Sequence, residues 1–286
     1  MNINFSRSML AVVLVGACSC LSARPNLVFI LADDCAYTTL GCYGGTNVQT
    51  PNIDRLAQEG LRFTQAYAST SMCVPFRHEL HTGLFPMGSG ALWNHSASKP
   101  GTKGTPHYLG ALGYRVGITG KRHVFPEQNF PFEIISGFEV NCVVQKDRYE
   151  PQEIVPFLTR DSKEPFALFI NSPNPHRPWT MGDASRFDPA KLKIPPALAD
   201  TPVIREEMTH YLAEVAELDR QVGDVLQLLE DHGLADNTLV MFSSEQGWQF
   251  AGGKWNCWNL SLHTGLIARW PGRIEPGTET KAMVQI

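Results

Sequence analysis

The sequence predicts an α/β fold, a mostly parallel central sheet with helices on both faces. Two observations lead there. Short, nearly uninterrupted apolar runs recur along the chain: NLVFILA (26–32), YRVGITG (114–120), PFALFINS (165–172), NTLVMFSS (237–244) and GLIARW (265–270). Strands that are apolar on both sides belong to sheets buried on both sides, the usual setting of parallel strands. The second observation is the segment Pro202–Gly233. Its Ile204, Met208, Tyr211, Val215, Leu218, Val222, Val225 and Leu229 step alternately by four and three. That spacing lines one face of a helix and gives the sheet a partner.

The elements follow in chain order. Arg7, the run MLAVVLVGA and the small residues after it have the form of an export signal over residues 1–23. Val15-Gly16-Ala17-Cys18 resembles a bacterial lipobox, which makes Cys18 the expected lipid-anchor position; ordinary cleavage near Ala23 is the alternative. The expected location is periplasmic or lipid-anchored at a bacterial membrane, with secretion as the alternative. Thr50-Pro51 reads as a helix start with threonine as cap and proline in the first turn, and NIDRLAQEG carries the helix to Gly60. Another helix is expected to start at Cys73, with Pro75 in its first turn. Phe125–Gln145 and Asp183–Pro202 read as loops, and Gly233 closes the long helix.

Bulk properties narrow the function. With 286 residues, 43% hydrophobic and 18% charged, the chain can bury a large core. A net charge of -4 gives no support to a nucleic-acid role. No apolar run is long enough for a clear membrane span. Of seven cysteines, Cys18 and Cys20 fall in the signal region. Cys35, Cys42, Cys73, Cys142 and Cys257 are scattered and odd in number, with no C-x-x-C pair, so neither a disulfide scaffold nor a zinc site is expected.

Polar clusters follow four of the apolar runs directly: Asp33-Asp34, Lys121-Arg122-His123, Pro175-His176-Arg177 and Glu245-Gln246-Gly247. Ligands of open α/β sheets bind beyond the carboxyl ends of the strands, so four such clusters point to one site. The paired carboxylates Asp33 and Asp34 call for a cation, and a hard ion such as calcium takes several oxygen ligands. Glu245 and Gln246 add a carboxylate and an amide oxygen. A helix cap or turn is the alternative for Asp33-Asp34. A second set is cationic: Arg77, Lys121, His123, His176 and Lys254. A metal ringed by fixed cations suits an oxyanion, a phosphate or a sulfate. Taken singly, each is as readily a surface or structural residue. Cys73 sits where helix amides favour negative charge, with Arg77 one turn on. From spacing alone Cys73 is a disulfide half, a nucleophile, a buried spectator or the precursor of another group.

These residues carry a resemblance. CVPFRHELHTG (73–83) resembles the C-x-P-x-R signature of the type I sulfatases, in the alkaline-phosphatase superfamily. RPNLVFILADDCAYTTLGCYGG, TPNIDRLAQEGLRFTQAYA, GYRVGITGKRH, NPHRPW, SSEQG…GKW and WPGRIEPGT resemble further family segments in order, across residues 24–286. The resemblance implies the alkaline-phosphatase fold and hydrolysis of sulfate esters or N-sulfate on a sulfated sugar or glycosaminoglycan fragment. It implies that a formylglycine-generating enzyme converts Cys73 to formylglycine. Asp33, Asp34, Glu245, Gln246 and residue 73 would hold one calcium ion. Arg77 would orient the formylglycine, and Lys121 and Lys254 would bind sulfate oxygens. His123 would assist the hydrate, and His176 would stand near the leaving oxygen with Lys254. GSGALWNHS (88–96), with Trp93 and His95, is a candidate sugar contact, with a structural turn as the alternative.

Three positions depart from the family pattern. Glu245-Gln246 stands where Asp-Asn or Asp-His is usual, which resembles the sulfoglucosamine-sulfatase-like branch. Phe76 replaces a small hydroxyl residue. The chain ends at Ile286, inside the family pattern, so the smaller C-terminal subdomain is expected to be absent. The alternatives are a phosphatase or phosphodiesterase of the same superfamily, which would carry Ser or Thr in place of Cys73, and a non-catalytic remnant.

Overall fold

A computed structural model describes residues 24–143 and 149–286. The export-signal segment, with Cys18 and Cys20, lies outside the described residues, as do residues 144–148. The strands are β1 (Asn26–Ala32), β2 (Leu61–Tyr67), β3 (Arg115–Gly120), β4 (Glu133–Ile134), β5 (Phe166–Asn171), β6 (Thr238–Ser244), β7 (His263–Arg269) and β8 (Thr278–Gln285). The helices are α1 (Pro51–Gln58), α2 (Cys73–Thr82), α3 (Pro86–Ser89), α4 (Thr105–Ala111), α5 (Val155–Thr159), α6 (Pro202–Asp231) and α7 (Asn259–Leu262).

All eight strands form one sheet in the order β4-β3-β5-β1-β6-β7-β2-β8. Strands β4, β3, β5, β1 and β6 run parallel, and only β7 is reversed, lying antiparallel to both β6 and β2. The mostly parallel α/β expectation therefore holds.

Side chains alternate across a strand, so β1 serves two cores. Val28, Ile30 and Ala32 join the stripe of α6, including Met208, Val215, Leu218 and Val222. Phe29 and Leu31 join Phe76 of α2 and Val116, Ile118 and Phe169 on the other face. Each fully buried side chain of this kind stabilises the fold by about 1.5–3 kcal/mol. In α6, Thr201 caps the Ile204 amide and Gly233, at φ +65°, follows the last turn.

The sequence expectations need three corrections. Thr50 does not cap α1: its hydroxyl accepts from the Gly41 amide and donates to Asp54. The cap comes from Asp219 of α6, which accepts from the Asn52 and Ile53 amides at 3.0 and 2.9 Å. The stretch expected as a loop after Phe125 contains β4, two residues paired with Gly117 and Ile118. Edge strand β8 was not anticipated, because TETKAMVQ has no apolar periodicity. Changing Asp219 to alanine orphans two α1 amides and the Asn52 side chain. The expected loss is about 1–3 kcal/mol of unfolding free energy, read as a lower urea midpoint at unchanged slope.

Candidate active site

The parallel ladder delivers the site residues. Its hydrogen bonds continue one step past the strands: Asp33 N donates to Asn174 O, Lys121 N to Asn171 O and Glu245 N to Ala32 O, at 3.0–3.1 Å. Asp33, Lys121 and Glu245 are thus laid side by side as the strands end. Gly120 lets the chain turn there, since a Cβ at its φ of +77° would run into the Asn171 carbonyl. From the opposite side α2 presents Cys73 at its first position, and the Asn94 side chain caps the helix at the Val74 amide, at 3.1 Å.

The result is a dry ionic centre. Asp33, Asp34, Arg77, Lys121, Glu245 and Gln246 have no solvent exposure, and Cys73 and Lys254 have almost none. The Cys73 sulfur lies 3.3 Å from Lys121 Nζ, 3.0 Å from Lys254 Nζ and 3.7 Å from Asp33. Lys121 is shared with Asp33, and Lys254 with Asp34 at 2.8 Å. Arg77 pairs with Glu245 and donates to the Lys121 carbonyl at 2.6 Å. It reaches residue 73 through these neighbours. His176 Nε2 stands 3.5 Å from Asp34.

Buried charges survive only when paired, and here Arg77, Lys121 and Lys254, joined by His176, face Asp33, Asp34 and Glu245. Burial would raise the Asp33 carboxyl, but Lys121, followed by His176, Arg77 and Lys254, holds it well below its ordinary range. Burial pushes the Cys73 thiol up, and the Glu245 charge adds to this. An unmodified Cys73 is therefore a poor thiolate. At His123 burial, then Lys121 and Arg77, depress the imidazole to about 3, which keeps it neutral. At His176 burial is outweighed by Asp33, a bond to Cys142 and Asp34, and the value rises to about 9.

The donor set fits a hard cation. The carboxylate oxygens of Asp33 and Asp34 cluster with Cys73 and His176, their ligand-type atoms all within 4.8 Å of one another, with His176, held protonated, joining as a cation and not as a ligand. Glu245 Oε2 and Gln246 Oε1 are buried without a hydrogen-bond partner. Gln246 now turns its amide nitrogen to Asp34, and a flip of that amide would present the orphaned oxygen instead. His176 enters the compact cluster although the sequence placed it only near the leaving oxygen. Glu245 faces Arg77, one step further out.

His123 links this centre to an outer cleft of about 560 Å³, lined also by His95, Arg122, Phe125 and Glu127. His95 is exposed on that cleft. The non-glycine residues with positive φ among those described are Asp34, His95, His123 and Trp255, at 63°, 69°, 49° and 68°. Such backbones cost about 1–3 kcal/mol each and collect at functional sites.

Sequence reasoning missed the supports. His78 bonds the Val74 carbonyl at 2.8 Å and the Phe125 backbone, tying α2 to the segment after His123. Glu214 of α6 is wholly buried and accepts from the Thr180 and Met181 amides and from Asn174, fixing the loop that carries His176. No local signal marks either residue. Burial raises the Glu214 carboxyl to about 8, against the pull of the Met181 and Thr180 amides. Its folded form is protonated where the unfolded form is ionised. Its stabilisation is complete below about pH 4.5 and is lost as pH rises to about 8. Between pH 5.5 and 8 the wild type should lose stability more steeply than Glu214→Gln, by up to about 1.4 kcal/mol per pH unit, in urea titrations at each pH.

Residues 25–285 match the sulfatase family model. An ulvan-active sulfatase of Formosa agariphila is 31% identical over 270 residues, covering 93% of this chain and 53% of the relative. Human N-sulphoglucosamine sulphohydrolase is 30% identical over 290 residues, covering 89% of this chain and 55% of that protein. The chain thus spans about half the length of these curated relatives. Among solved structures, the phosphonate monoester hydrolase of Agrobacterium radiobacter superposes with a TM-score of 0.78 at 20% identity, over 92% of this chain and 71% of that one. That likeness concerns the fold alone. The family match covers nearly the whole described chain and includes every residue of the ionic centre: this chain belongs to the sulfatase family.

Proposed function

We propose that this chain carries the catalytic centre of a sulfatase acting on a sulfated sugar. The observation that carries the reading is residue 73, at the start of α2, bracketed by two lysine ammonium groups that are each shared with a carboxylate. Converted to formylglycine, residue 73 supplies a hydrated aldehyde whose oxygen attacks sulfur. Asp33, Asp34, Gln246 and Glu245, with residue 73, would hold a calcium ion, which would supply positive charge for the sulfate oxygens.

The chain's own side chains do the remaining work. Lys121 and Lys254 exchange part of their carboxylate pairing for sulfate oxygens and hold the ester in line with residue 73. His176, beside Asp34, stands where the bridging atom of the sugar leaves and gives it a proton. Neutral His123 accepts the proton that must leave residue 73 when sulfate is expelled. Arg77 and Glu245 keep the frame fixed in a buried site. The names of the two relatives support a sulfated carbohydrate as substrate.

The test uses the chain produced together with a formylglycine-generating enzyme. Turnover of 4-nitrophenyl sulfate should exceed that of 4-nitrophenyl phosphate. Faster phosphate turnover favours a phosphatase of the same fold. Turnover of neither, with residue 73 fully modified, favours a non-catalytic protein.

A further inference from the structure

Of the four left-handed non-glycine residues, Asp34, His95 and His123 already have a place at the site, and Trp255 has none. A bulky side chain rarely adopts this backbone, and something must hold it there. The hold is visible. Trp255 N donates to Ser71 O at 3.0 Å, two residues before Cys73. Ser71 Oγ donates to Asn256 O at 2.6 Å, and the Asn256 amide donates back to Gly253 O and Lys254 O. Gly253 permits the tight turn, since a Cβ there would collide with the Trp248 carbonyl. The segment is tied on one side to the strand of residues entering α2 and on the other to Lys254.

What this fixed backbone presents is an indole that is 62% exposed. Lys254 Nζ lies 5.5 Å from its ring centroid and 3.0 Å from the residue 73 sulfur. The ring therefore stands one ammonium group away from the reacting position, open to water. A ring held in strain, unburied and beside an anion-binding lysine suits a ligand with both a sulfate and an apolar face. The C–H face of a pyranose is such a surface, and indole offers a large, rigid area to cover it.

We infer that Trp255 is the stacking platform for the sugar ring that bears the sulfate, and so sets preference for a sulfated sugar over the bare anion. The inference rests on the sulfatase reading above. The competing role is electrostatic: the ring would only shield Lys254, which is 4% exposed. A probe with a sulfate but no ring separates the two.

The experiment is calorimetric titration of the unmodified chain, its Trp255→Ala variant and its Trp255→Phe variant. The probes are D-glucosamine N-sulfate and inorganic sulfate. Trp255→Ala should weaken the sulfated sugar about three- to tenfold while leaving inorganic sulfate unchanged, and Trp255→Phe should recover most of the loss. Equal weakening of both probes assigns Trp255 to Lys254 and overturns the inference, as does unchanged sugar affinity. If the wild type binds neither probe, the sulfate site itself fails, a result distinct from a loss confined to the sugar, and the inference falls with it.

Discussion

Changing Cys73 to alanine should abolish turnover of sulfate esters, a fall on the order of 10⁴-fold or more, as expected when the proposed nucleophile of a covalent mechanism is removed. The side chain is small and buried, and it makes only weak sulfur contacts to Lys121, Lys254, Asp33 and Gln246. Folding should therefore survive. The unfolding midpoint of Cys73→Ala should stay near that of the wild type while its rate with 4-nitrophenyl sulfate drops to background. A variant that folds and still turns over the ester at a wild-type rate would remove residue 73 from the chemistry.

The second large effect falls on stability. Arg77 and Glu245 are both wholly buried and paired, and Arg77 also holds the Lys121 carbonyl. Arg77→Ala strands the Glu245 carboxylate beside Asp33 and Asp34 in a fully buried site. Breaking one side of such a pair costs about 3–5 kcal/mol. The double change Arg77→Ala with Glu245→Gln removes the stranded charge and should recover part of that loss. Urea denaturation of the three chains measures both quantities. A single variant within about 1 kcal/mol of wild type would mean that the pair is not a structural keystone.

Why some of this was legible in the sequence follows from where each residue sits. Asp33, Lys121 and Glu245 directly follow apolar strands and His176 lies in the loop after one, so near-continuous apolar runs ending in polar clusters located them. The parallel ladder then brings those ends together, and local sequence plus one topological rule was enough. Strand β7 was visible as an apolar run but its direction was not, because burial does not encode polarity of the chain. Strand β8 is a largely exposed edge without apolar periodicity, and only pairing with β2 makes it a strand. The α1 cap was misassigned for a similar reason: Thr50 has the right type, but Asp219, 167 residues from Asn52, takes the amides. Trp255 and Glu214 owe their places to a backbone angle and to burial, which no neighbouring residue announces.

The most direct measurement of the central claim is peptide mass spectrometry across residue 73, on the chain produced alongside a formylglycine-generating enzyme. The expected result is the mass of an aldehyde at that position and capture of the peptide by a hydrazide, with Phe76 in the motif tolerated. An unmodified cysteine, in cells that convert a control sulfatase, would contradict the account, because the buried thiol of Cys73 is held in its protonated form and has no route to the attacking oxygen.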